Sequence, residues 1–366
     1  MDLHSAEPVG RKQRPLQGLL KAGDRDRTGN IQLGRLTLYQ LSYTRKRNVI
    51  LAKEKERGAL SLRYPVQMPV PPRDIHVIGV PLDLGQSLRG VDIGPGAVRY
   101  AGLGPALRAL GHTVTDLGDI DIPKRDQLDD EKDPAFAAAI AAVCTKLCAQ
   151  AEASVAAGAT PIFVGGDHAM SIGSVSGVTA AGRTGILWID AHGDLNTPDT
   201  SPSGNIHGMP LATLLGTGLP DLVQLGGRSP KVIPEDVVLL AIRELDPGEQ
   251  AMARDLGLKV LTMRDIDERG VASVVREALE HLEHTPRLHV SLDLDSLDPS
   301  IVPGVGTPVP GGLTYREAQL ICETIADTER LTSLDLVEVN PLIGDHNRTA
   351  EVAVRLSESL LGKSIL

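Results

Sequence analysis

Three short segments place Asp and His at spacings suited to holding metal. They are Gly165-Gly166-Asp167-His168, Asp190-Ala191-His192-Gly193-Asp194 and Asp293-Leu294-Asp295. On an extended chain, residues i, i+2 and i+4 share one side. Asp190, His192 and Asp194 can therefore face one point, and so can Asp293 and Asp295. Four converging carboxylates without cations would raise one another's pKa and be strongly unfavourable. No Lys or Arg lies within the segments, so divalent cations are the natural compensation. Taken singly, His168 reads as a core histidine and Asp-X-Asp as a turn or cap. Asp298-Pro299 reads as a turn even here. What lifts the three together is position, because each directly follows an apolar, β-branched run. Four Asp, two His and no Cys form an oxygen-rich set that favours manganese over a thiolate zinc site. The six ligands are His168, Asp190, His192, Asp194, Asp293 and Asp295. Six suit two ions roughly 3.5–4 Å apart sharing a water whose pKa falls to about 7. The residues alone reach as far as a two-metal hydrolase.

The elements that must carry these segments alternate from Asp74 onward. Strands are expected at Ile75–Val80, Pro161–Val164, Gly185–Ile189, Val237–Ile242, Lys259–Leu261, Leu288–Leu292 and Ser333–Val337. Helices are expected at Ala97–Leu110, Pro134–Ala157, His207–Leu215, Pro247–Leu256, Val271–His281, Thr314–Ala326 and Thr349–Leu360. Strands without polar alternation are buried on both faces, and alternation with helices implies a mainly parallel sheet between two helical layers, a three-layer α/β/α domain. In such open sheets, sites form beyond the carboxyl ends of the strands.

The segments GGDHAMSIGSV, WIDAHGDLNTPDTSPSGNIHGMPLATLLG, SLDLDSLDPSIVPGVGTPVPGGLTYREA and LVEVNPLIGDHNRTAEVA resemble the ureohydrolase family, and within it the bacterial arginases. The resemblance spans about residues 74–366. It implies the arginase/deacetylase-like fold with eight strands, and a homotrimer or homohexamer. His168, Asp190, Asp194 and Asp293 would hold one manganese. Asp190, His192, Asp293 and Asp295 would hold the other, with Asp190 and Asp293 bridging. In arginases a bridging hydroxide attacks the guanidinium carbon of arginine, giving ornithine and urea. Asp194 would take up its proton and His207 would shuttle protons. Glu338 matches the acid near the guanidinium, a planar cation that suits a bidentate carboxylate. Asn196 and Ser203, with Ser201 beside them, match residues that read the α-carboxylate. Asp246 and Glu249 match positions near the α-amino group, although both are also ordinary at a helix N-terminus. Thr307 is expected as a wall residue. Glu244 stands where many arginases have Asp, which bears on fine specificity. The nearest alternative is an agmatinase or another guanidino-acid ureohydrolase. Agmatine lacks the carboxylate that Asn196 and Ser203 would read. A deacetylase-type zinc enzyme would not need all six ligands, and a regulatory relative would be expected to have lost one.

Composition narrows the classes further. The 366 residues carry a net charge of −10 and only 2% aromatics. Residues 1–67 hold 14 Lys and Arg against 6 Asp and Glu, which leaves −18 on the remainder. An acidic, aromatic-poor body is a poor partner for nucleic acid. Residues 1–67 read as a disordered basic extension. A second reading is a basic nucleic-acid arm or targeting segment, and a third takes Met68 as the initiator, because Gly23–Arg45 resembles translated non-coding DNA. Residues 68–366 form the catalytic domain. Cys144, Cys148 and Cys322 make neither a disulfide framework nor a zinc pattern and suit a reducing, cytoplasmic setting. No apolar run reads as a membrane span.

Overall fold

The computed structural model describes residues 70–128 and 136–364. The basic extension 1–67 and Met68 lie outside the described residues. Eight strands form one sheet: β1 Asp74–Val80, β2 Thr113–Asp119, β3 Thr160–Gly165, β4 Thr184–Ile189, β5 Val237–Ile242, β6 Lys259–Thr262, β7 Arg287–Asp293 and β8 Leu331–Val337. The helices are α1 Gly94–Tyr100, α2 Leu103–Ala109, α3 Ala137–Ala156, α4 Ser171–Thr179, α5 Pro210–Leu214, α6 Pro220–Val223, α7 Pro247–Asp255, α8 Met263–Arg269, α9 Val271–His281, α10 Tyr315–Ala326 and α11 Arg348–Leu360.

The strand order is β2-β1-β3-β8-β7-β4-β5-β6, and every paired neighbour is parallel. After β3 the chain skips across two positions to β4, builds outward through β5 and β6, then returns as β7 and β8 to fill the gap. That return makes β3, β8, β7 and β4 adjacent. Four segments far apart in sequence thus end side by side, where open α/β sheets form their sites.

β3, β4 and β5 are buried at every residue. Alternate side chains feed opposite layers. Leu187 and Ile189 of β4 join a core with α1, α2 and α8–α11, while Ile186 and Trp188 join another with α5 and α7. A third core packs β1 and β3 against α3 and α4. The three-layer α/β/α expectation therefore holds.

Three differences have physical causes. β2 was not expected. It is an edge strand, Thr113-Val-Thr-Asp-Leu-Gly-Asp, exposed or half-exposed throughout, and it lacks the apolar pattern that marks a buried strand. The expected helix Ala97–Leu110 is two helices, broken at Gly102, whose φ of 96° is left-handed. α4 was also missed, because Ser-Ile-Gly-Ser-Val-Ser-Gly-Val-Thr is poor in helix formers. Burial overrides propensity there. A Cβ at Gly173 would lie 2.7 Å from the Cys144 carbonyl oxygen, and one at Gly177 would lie 2.5 Å from that of Cys148. Only glycine lets α4 pack this closely on α3. α3 also corrects the expectation that no segment matches a membrane span: its 20 residues reach a mean hydropathy of 1.2. Its Ile140, Val143, Cys144, Leu147, Cys148 and Ala151 are nonetheless buried. The three cysteines are free and buried.

Candidate metal centre and active site

The turn after β3 is the tightest part of the site. A Cβ on Gly166 would sit 1.9 Å from the Leu82 carbonyl oxygen, so the Gly-Gly-Asp-His turn can lie flat on the loop after β1. Gly166 and Asp167 N–H groups donate to the carbonyls of Val80 and Leu82 at 3.0 and 2.8 Å. The turn delivers the His168 ring into the centre of the sheet end. Nδ1 of His168 lies 3.2 Å from Asp190 Oδ2, 2.9 Å from Asp194 Oδ2 and 3.2 Å from Asp293 Oδ2. Nδ1 of His192 lies 3.5 Å from Asp190 Oδ1 and 3.1 Å from Asp295 Oδ2. The six expected ligands therefore converge, and Asp190 turns one oxygen to each histidine.

Two overlapping donor groups emerge, His168/Asp190/Asp293 and Asp190/His192/Asp295, each with ligand atoms within 4.8 Å of one another. His168 Nδ1 and Asp194 Oδ2 are buried without a hydrogen-bond partner. Buried polar atoms left in this way are costly unless something else satisfies them. The set is all oxygen and imidazole nitrogen, and it fits divalent cations.

The electrostatics agree. Burial raises the carboxyl of Asp293 well above its usual range, and the Asp295 and Asp190 charges add to that. Burial and the Asp190 charge push Asp194 up to about 6. Burial opposes a charge on His168, yet the Asp194 charge and contacts with Asp190, Asp194 and Asp293 hold its pKa well above the ordinary value. For His192, burial is likewise outweighed by Asp295 and Asp190, and its pKa is pushed up to about 12. One cation outside the three segments escaped the sequence reading. Arg243, after β5, donates to the backbone carbonyls of Asp295, Ser296, Leu297 and Val309 and so lies close behind the carboxylates.

Supporting contacts orient the ligands. Trp188 stacks on His168, with ring centroids 4.2 Å apart and an interplanar angle of 9°. Its Nε1–H donates to Asp190 Oδ2 at 3.1 Å. His168 Nε2 meets the Ser291 hydroxyl at 2.8 Å. Trp188 on β4 and Ser291 on β7 each stand two positions before a ligand, Asp190 and Asp293. Asp298 is instead a turn, as expected: it accepts from Ser300, Gly311 and Gly312.

The cluster floors a cleft of about 160 Å³ lined by His168, His192, Asp194, Asn196, Ser201, Ser203, His207, Asp246, Glu249, Asp293, Asp295 and Thr307, with Asn205 and Gly208 at its edge. All six expected substrate residues therefore meet the metal ligands in one cavity. Asn196 Nδ2 donates to Asp246 Oδ2 at 2.8 Å, and Thr307 donates to Asp295 Oδ2 at 3.0 Å. Ser201 and Ser203 accept from the backbone N–H groups of Gly204 and Asn205. Glu249 acts as a brace. It accepts from Asp246 N at 2.8 Å and from Leu195 N at 3.1 Å, tying the start of α7 to the residue after Asp194. Burial raises its pKa to about 7. Glu244 is exposed and is not among the lining residues.

Glu338 does not line the cleft but stands behind it. Its carboxylate accepts from the His168 N–H at 3.0 Å and from Gln86 Nε2 at 2.8 Å, and Oε1 meets His207 Nδ1 at 3.0 Å. Gln86 was missed because the loop after β1 carries no ligand-like pattern. Asp194 and Glu338 both hold left-handed backbone, with φ of 53° and 62°. Such strain in non-glycine residues concentrates at functional sites.

Against known proteins, the family model described as the arginase family matches residues 73–362. The chain belongs to the arginase family. It is accordingly a hydrolase of the class that acts on guanidino groups. A curated arginase of Bacillus caldovelox is 49% identical over 298 residues, covering 80% of this chain and all of that protein. One from Bacillus subtilis is 47% identical over 295 residues, covering 80% and 99%. The solved native arginase of Bacillus caldovelox superposes with a TM-score of 0.78 over 80% of this chain and all of that one. An Entamoeba histolytica arginase solved with L-ornithine is 30% identical, with a TM-score of 0.75 and coverage of 80% and 99%. In this arginase-family chain the uncovered fifth includes the basic extension, since the family match begins at residue 73.

Proposed function

We propose that this chain hydrolyses L-arginine to L-ornithine and urea with two manganese ions. The carrying observation is that five of the six donors, all but the more deeply set Asp190, line one cleft together with Asn196, Ser201, Ser203 and Asp246. A guanidinium lying over the cluster brings the amino-acid end of the same molecule to these polar groups. His168, Asp190, Asp194 and Asp293 would hold one ion, and Asp190, His192, Asp293 and Asp295 the other. When bound, the ions offset the carboxylate charge and make a water acidic enough to ionise near neutral pH. Asp194, which also lines the cleft, would accept a proton of the attacking water. The water oxygen would bond to the guanidinium carbon; the proton held by Asp194 would pass to Nε as the bond from that carbon to Nε breaks, and His207 would carry the remaining hydroxyl proton to the departing amine, leaving urea and ornithine. Glu338 orients His207. Asn196, Ser201 and Ser203 donate to the α-carboxylate, Asp246 accepts from the α-ammonium with Glu249 bracing it, and Thr307 steadies Asp295. The oxygen-rich donors support manganese. The buried free thiols support a cytoplasmic setting, and a homotrimer or homohexamer belongs to the same reading.

Urea release with manganese, compared for arginine, agmatine and 4-guanidinobutyrate, tests the substrate. Arginine should be preferred by at least about 100-fold in kcat/KM, because leaving the carboxylate- and ammonium-binding groups unpaired costs a few kcal/mol. Turnover of another guanidine without turnover of arginine would overturn the reading.

A further inference from the structure

A second and larger cavity, about 370 Å³, lies at the opposite end of the sheet. Thr160 opens β3, Arg287 opens β7 and Leu331 opens β8, and all three line this cavity. These are the N-terminal ends of the strands that lead to His168, Asp293 and Glu338. At about 3.3 Å per residue, seven-residue β7 separates the two sites by roughly 20 Å, so the cavity is no extension of the catalytic cleft.

Its distinctive feature is Arg287. The Nε of this side chain is fully buried and makes no hydrogen bond, and among the described residues no carboxylate pairs with its guanidinium. Burial alone acts on it, lowering its pKa. Other arginines of the fold are satisfied. Arg183 forks onto Asp236, Arg243 is ringed by carbonyls, and Arg330 reaches the carbonyls of Leu282 and Thr285. Arg73, also in the cavity wall, donates to the Leu331 and Glu329 carbonyls, and the Glu329 charge acts on it. Among the described residues the lining carries two guanidinium groups against one carboxylate, an excess of one positive charge.

Arg287 as a whole is half-buried, so its guanidinium, charged at any physiological pH, is open to the cavity, while its buried Nε–H lacks the acceptor that a buried donor needs. Its planar fork matches a carboxylate. The remaining wall includes the aliphatic side chains of Val155 and Leu331, which suit a short carbon chain. A single excess charge suits one carboxylate better than a polyphosphate. We propose that this cavity is a binding site for a small organic acid, anchored through its carboxylate by Arg287.

Calorimetric titration of the full-length protein with succinate and with inorganic phosphate, at ionic strength matched with chloride, tests the proposal. Saturable succinate binding is expected, weakened at least about tenfold in Arg287→Met while urea release stays unchanged. Arg287→Met keeps the aliphatic stem and removes a group that makes no bond. A second readout needs no variant: succinate should slow phenylglyoxal labelling of Arg287, mapped by mass spectrometry, and chloride should not. No succinate binding, equal binding to Arg287→Met, binding of phosphate alone, or labelling of Arg287 unaffected by succinate would each overturn it.

Discussion

Nδ1 of His207 lies 3.0 Å from Oε1 of Glu338, which joins two residues 131 positions apart into one proton-handling unit. The carboxylate is buried and saturated by Gln86, the His168 N–H and His207. Burial opposes a charge on His207, but Glu338 outweighs it and raises the imidazole to about 9. The pairing fixes the ring and leaves Nε2 as the nitrogen that can face the cleft. His207→Asn should lower kcat by about 10²–10⁴-fold, the range for a lost general acid–base group, with KM for arginine changed little. Glu338→Gln should lower kcat through the same imidazole. The double variant should then lose far less than the product of the single losses. Multiplicative losses in steady-state kinetics would show that the two residues act separately.

Trp188 contacts both halves of the candidate metal centre, stacking on His168 and donating to Asp190. Trp188→Phe keeps a stacking ring but removes the donor to a carboxylate that faces both donor groups. Groups orienting metal ligands in this way contribute roughly 10–100-fold in affinity. Manganese affinity, measured by competition with a chelating dye, should fall by that order while the fold persists in circular dichroism. An unchanged affinity would mean that the indole serves packing alone.

Asp295 belongs to one donor group and His168 to the other, so the two can be emptied separately. Asp295→Ala should reduce bound manganese from two to one per chain by elemental analysis and lower urea release by more than about 100-fold. Full metal removal should lower the thermal midpoint, and manganese should restore it, because a ligand that binds only the folded state stabilises by mass action. Two metals per chain with unaltered activity in Asp295→Ala would remove this residue from the centre.

The parts of this site that were legible share one property: each ligand follows an apolar run within a few residues. His168 and Asp190 follow β3 and β4, Asp293 closes β7, and strand burial is written in local composition. The contacts that were not legible are those made by the return of β7 and β8 between β3 and β4. Nothing local to Glu338 reveals that it accepts from the His168 N–H. Likewise, nothing near Arg243 reveals that it lies against the carbonyls after Asp295. The family resemblance supplied the substrate residues, and six of them line one cavity; it placed Glu338 near the guanidinium, but its contacts with Gln86, the His168 N–H and His207 were not legible in the sequence. Elements were missed where tertiary context outweighs pattern, as in the polar edge strand β2 and the glycine- and serine-rich α4.

Asp236 gives a test of pH dependence away from the metal ligands. It stands immediately before β5, nearly buried, and takes a forked pair of hydrogen bonds from Arg183 and a 2.6 Å contact from His284. Burial would raise its pKa, but the bonds from Arg183 and His284 prevail and hold it below the ordinary carboxylate value. The folded state therefore releases this proton more readily than the unfolded chain. The resulting stabilisation is fully present above the unfolded value near 3.9 and is lost as pH falls through the lower folded value. Asp236→Asn should accordingly have a lower thermal midpoint than the parent at pH 7. The two should begin to approach one another as pH falls below about 4, where the unfolded chain takes up the proton, and converge only through the lower folded value. Thermal melts of both proteins across pH 3–8 make the comparison. A difference that stays constant over that range would assign the effect of Asp236 to shape and neutral hydrogen bonding rather than to its charge.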